Sequence, residues 1–114
     1  MTILTERLDI LFMSDTITEN AKKVCERTIE KFVAPEEEEK HAMLITHLAM
    51  AVTRIEKGEE LHSPSEVIMN EVTQSPYFSQ AQENVAWVES VLEGELPNEE
   101  RQYLLMHFVS VLNS

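Results

Sequence analysis

Two groupings of residues in this chain could carry chemistry. In the first, His47 is followed seven residues later by Arg54; in the second, Glu100 and Tyr103 precede His107 by seven and four residues. A neutral imidazole is a nucleophile near neutral pH and a common metal ligand. A guanidinium on the same face can grip the oxygens of a phosphoryl group or carboxylate in bidentate fashion. Residues seven apart nearly eclipse on a helix, about 20° out of register. His47 and Arg54 therefore share a face, about 10 Å apart along the axis, and an arginine leaning toward the helix start shortens that gap.

Other chemistries are poorly supported. His47, His107 and Glu100 lack the HxxxH or ExxH spacing that metal sites on helices use, so no metal is expected. Cys25 lies in an apolar stripe with no base nearby in sequence, so it is expected in the core. There is no serine elbow and no Gly-rich phosphate loop. Neither a catalytic residue nor a cofactor is expected, and the chain does not read as an enzyme. His41, in the first turns of its helix, and His62, just before a helix cap, are expected in solvent. On spacing alone, His47 and His107 also fit a bland role as satisfied histidines at the edge of a core.

The elements that must position these groups are helical. Leu4, Leu8, Leu11 and Phe12 have helical spacing, which predicts a short first helix ending near Ser14. Thr16 and Glu19 form a capping-box pattern for the second, with Thr18 as the alternative cap. That helix carries Ala21, Val24, Cys25, Thr28, Ile29 and Phe32 on one side. Pro35 and four glutamates, Glu36 to Glu39, open the third helix, where first-turn carboxylates suit the dipole. It should run to about Lys57 and end at Gly58. Its buried face is predicted to be Leu44, Leu48, Ala51, Val52 and Ile55, with Met43, His47, Met50 and Arg54 in the adjoining row. Ser63, Pro64 and Glu66 mark the start of a short fourth helix to about Gln74. A fifth spans roughly Phe78 to Glu93, with Ala81, Val85, Val88 and Leu92 inward, stopped by Gly94. After Pro97 and Asn98, the last carries Leu104, Leu105, Phe108, Val111 and Leu112. No convincing strand remains. The expected architecture is an all-α bundle of five main helices plus a short N-terminal one, in a single domain over residues 1–114.

Composition narrows the partners. A formal charge of −12 opposes contact with a nucleic-acid backbone or an anionic membrane surface. A single cysteine rules out an intrachain disulfide and fits a reducing cytoplasm. Glu6, Arg7 and Asp9 interrupt any signal-peptide core, and no apolar run approaches the roughly 20 residues of a membrane span.

Two stretches carry a resemblance. "HLAMAVTRIEKGEE", from His47 to Glu60, and "LPNEERQYLLMHF", from Leu96 to Phe108, resemble the two signature regions of the phosphotransferase-system regulation domain (PRD). This is the helical regulatory module of bacterial antiterminators and transcriptional activators. The opening "RLDILFMSDTIT", Arg7 to Thr18, is similar to how some members begin. The resemblance implies that His47 and His107 accept phosphoryl groups. It implies as donors the histidine phosphocarrier protein or enzyme II components, with Arg54, Glu100 and Tyr103 at flanking positions. It further implies a cytoplasmic homodimer whose packing responds to phosphorylation. Many members have an aspartate before the first histidine, where this chain has Thr46. Members commonly join two copies to a nucleic-acid-binding output domain. The residues here hold one copy and no output domain, so action on other proteins, or membership of a larger regulator, is expected. The competing reading is a dimerisation or protein-interaction module with structural histidines.

Overall fold

A computed structural model describes residues 2–114. Among the described residues six α-helices form: α1 (Ile3–Met13), α2 (Glu19–Phe32), α3 (Glu38–Lys57), α4 (Glu66–Gln74), α5 (Phe78–Leu92) and α6 (Asn98–Leu112). There is no strand among the described residues, and the fold is all-α as the periodicity predicts. No helix among them is long and apolar enough to cross a membrane. The helices gather into two compact units, Met1–Glu60 and Leu61–Ser114.

In the first unit α2 packs on α3, and α1 packs on both. Leu4 and Leu8 of α1, Val24 and Cys25 of α2, and Ile45, Leu48 and Ala49 of α3 are all buried. Full burial of a leucine side chain contributes about 1.5–3 kcal/mol, so burial of Leu4 and Leu8 helps to hold a short helix that would not persist alone. Polar links fix its position. The Glu38 carboxylate accepts from the Leu4 amide at 3.1 Å, satisfying one of the first-turn N–H groups of α1. Lys22 of α2 pairs with Asp9 at 2.9 Å and lies 5.2 Å from the centre of the Phe12 ring.

The second helix is capped by Thr18, not Thr16. The Thr18 hydroxyl accepts from the Ala21 amide at 3.1 Å and donates to the Glu56 carboxylate, while its own amide donates to the Thr53 hydroxyl at 3.2 Å. Thr16 instead shares a 2.9 Å hydrogen bond with the Ser14 hydroxyl. Thr18 prevails because α3 supplies it with two further partners. Pro35–Glu37 forms a short 3-10 turn before α3, so the α-helix proper starts at Glu38. Gly58 ends it with φ of 68°, a left-handed conformation that glycine adopts without Cβ strain.

In the second unit α5 packs on α6, and α4 on both. Val72, Ala81, Val85, Val88, Leu104, Leu105 and Phe108 are buried. The cap of α4 is Ser65, whose hydroxyl accepts from the Ile68 amide at 3.2 Å. Ser63 does not cap it, because Pro64 is buried in the connection instead of opening the helix. The left-handed residue that ends α5 is Glu93, with φ of 61°, one position earlier than the expected Gly94.

Candidate functional site

The first candidate group lies on α3. His41, Leu44, Ile45, Leu48, Ala49, Ala51, Val52 and Thr53 are its buried residues. His47, Met50 and Arg54 are half-buried and Met43 is exposed, so the row beside the buried face falls where the spacing puts it. Ile55, expected inside, is half-buried. The Nε2 atom of His47 is closed off from solvent. In the last turn of α3 the Arg54 carbonyl accepts from the Glu59 amide at 3.0 Å, which closes the helix directly after the Gly58 turn.

His41 corrects the sequence reading. It is only 4% exposed, not solvated. Leu44, Ile45 and Leu48 follow it by three, four and seven residues, so it falls on their stripe. Its Nδ1–H donates to the Glu37 carbonyl at 2.9 Å, which satisfies the ring nitrogen locally. His62 is exposed outside the helices, as expected. Cys25 is fully buried, and its thiol donates to the Ile45 carbonyl at 3.6 Å. Burial pushes the Cys25 thiol well above its ordinary range, so it stays protonated and is no nucleophile.

Arg7 was not among the expected site residues. Its Nη1 donates to the Thr46 hydroxyl at 3.4 Å, which brings an exposed cation from α1 to the residue directly before His47. The two lie 39 positions apart, so no local pattern announces the contact.

The second group lies on α6. Tyr103 and His107 are half-buried, between the buried Leu104, Leu105 and Phe108. Glu100 is 1% exposed. A first-turn carboxylate suits the dipole, yet its depth exceeds what a residue on the outer edge of a stripe would have. Glu89 of α5 anchors the start of α6. Its Oε2 accepts from the Leu96 amide at 2.7 Å and from Arg101 Nη2 at 2.8 Å. This bond, above all, raises Arg101 further above its already high ordinary range. An open cleft of about 380 Å³ lies between α4 and α6, lined by Ile68, Val72, Met106 and Val109 among others. Glu71 is the one ionisable residue in its lining. Among the described residues no three His, Cys, Asp or Glu side chains gather where they could hold a metal ion.

What these helices have in common is a half-buried histidine at the margin of an apolar stripe, once in each unit. The sequence model of the PRD domain matches residues 19–111, which include both histidines and every flanking residue named above except Arg7. The chain belongs to the PRD domain family. No curated protein and no solved structure matches it.

Proposed function

We propose that the chain is a regulatory module of the sugar phosphotransferase system. It accepts phosphoryl groups on His47 and His107 and acts in transcription regulation through protein contacts in the cytoplasm. Membership of the PRD family is the observation that carries this reading. The family match runs through both units. The donors are the histidine phosphocarrier protein or enzyme II components, and the module works as a homodimer without a reaction or cofactor of its own.

In the transfer, a lone pair on an acceptor ring nitrogen attacks phosphorus. The P–N bond of the donor breaks and its electron pair returns to the donor ring. The acceptor gives up the proton on its second nitrogen as the donor ring takes one, so charge balances. The product carries about −1.5 to −2 charges, by analogy with other phospho-residues. Arg54 is the clamp for this charge at His47, whereas Glu100 would repel it and instead orients a ring N–H. Because His47 Nε2 is shielded from solvent, transfer to that atom calls for a local opening.

That same shielding favours the second reading, a protein-interaction module with structural histidines. Intact mass after incubation with charged donors, under mildly alkaline conditions that preserve phosphohistidine, separates the two. Uptake of one or two phosphoryl groups is expected. Loss of one should follow His47→Ala, and slower uptake should follow Arg54→Ala with the helical spectrum unchanged. No uptake from any donor leaves the interaction module as the account.

A further inference from the structure

An exposed face of the first unit adjoins His47, and its main element, α1, lies outside the family-matched residues 19–111. Ile3 and Ile10 of α1 are 68% and 67% exposed, and Met43 of α3 is 75% exposed. Ile3, Arg7 and Ile10 are spaced by four and three residues, so they line one side of α1. Met43 precedes Thr46 by three and His47 by four, which makes all three neighbours on α3. The hydrogen bond from Arg7 to Thr46 joins the two rows. Singly exposed apolar residues need no explanation, but three of them on two rows tied together beside a candidate acceptor do.

We infer that this face, Ile3, Arg7, Ile10 and Met43, is the landing surface for the protein that delivers a phosphoryl group to His47. The inference rests on the reading of His47 as an acceptor. The occupant is a protein bearing a phosphohistidine beside an apolar patch of its own. Such a group arrives as an anion, and Arg7 is the exposed cation in the middle of the face. Its hydrogen bond among the described residues is to an uncharged hydroxyl at the long end of the range, so its remaining N–H groups can meet phosphoryl oxygens. A second copy of the chain fits less well, because a two-fold contact centred here sets Arg7 against its own counterpart.

The test compares a protein donor with phosphoramidate, a small donor that needs no docking surface. The double variant Ile3→Glu/Met43→Glu changes exposed side chains and should keep the helical spectrum. Uptake is read by intact mass and assigned to His47 by its loss in His47→Ala. With charged histidine phosphocarrier protein, the double variant should be slowed about tenfold or more, the size of a lost interface anchor. With phosphoramidate it should match the wild type. Equal rates from the protein donor overturn this surface and leave the proposed function standing. Slowing with both donors also overturns it, since the defect then lies in the acceptor and not in docking. Failure of the wild type with every protein donor removes the proposed function and this surface together.

Discussion

At the scale of single residues, burial decides which titratable groups are available. Cys25 and His41 are both inside, and each makes a hydrogen bond to a main-chain carbonyl. For Cys25 the consequence can be measured. Its folded-state pKa is raised by burial above the ordinary 9.0. Above that pH the unfolded chain loses the thiol proton while the folded chain keeps it. The unfolded state then binds fewer protons, so stability should fall as pH rises, by about 1.4 kcal/mol per pH unit from this group alone. Below that pH the thiol contributes no slope. Native protein should react with a thiol reagent far more slowly at pH 8 than protein unfolded in urea. Equal rates would place Cys25 at the surface. The Cys25 stripe was legible in the sequence because free cysteine at helical spacing with Val24, Thr28 and Ile29 has one face to occupy. His41 was misread because its stripe membership was outweighed by its place in the first turns.

At the scale of elements, helix type and extent were legible, since 3.6-residue periodicity and the turn residues between helices are local properties. The choice among neighbouring caps was not. Thr18 prevailed over Thr16 through Thr53 and Glu56, which lie 35 and 38 positions away. The two histidine rows could be placed from spacing, whereas the Arg7–Thr46 contact and the depth of Glu100 depend on packing that no single helix encodes. The end of α5 offers a direct measurement. Glu93 holds a left-handed conformation that costs an L-residue roughly 1–2 kcal/mol. Glycine removes that cost but loses more backbone freedom on folding, roughly 0.5–1 kcal/mol. Glu93→Gly should therefore stabilise the protein by about 0.5–1 kcal/mol in urea unfolding. A destabilisation of that size would show that the Glu93 side chain contributes more than its backbone strain takes away.

At the scale of the whole molecule, charge sets the partners. With 21 acidic and 9 basic residues, the surface repels phosphate backbones. A random RNA or DNA oligonucleotide should show no sub-micromolar binding at physiological salt, as read by fluorescence anisotropy. Tight binding that weakens steeply with added salt would contradict this. The placement of α1 has a practical bearing on how the molecule can be divided. A recombinant fragment cut to the family-matched residues 19–111 would discard Leu4, Leu8 and Ile17, all buried, and strip Glu38 of the amide it accepts from. The piece that sequence families treat as the portable unit is thus smaller than the piece that can shield its own interior, and the cut would leave a sticky, aggregation-prone flank on α2 and α3.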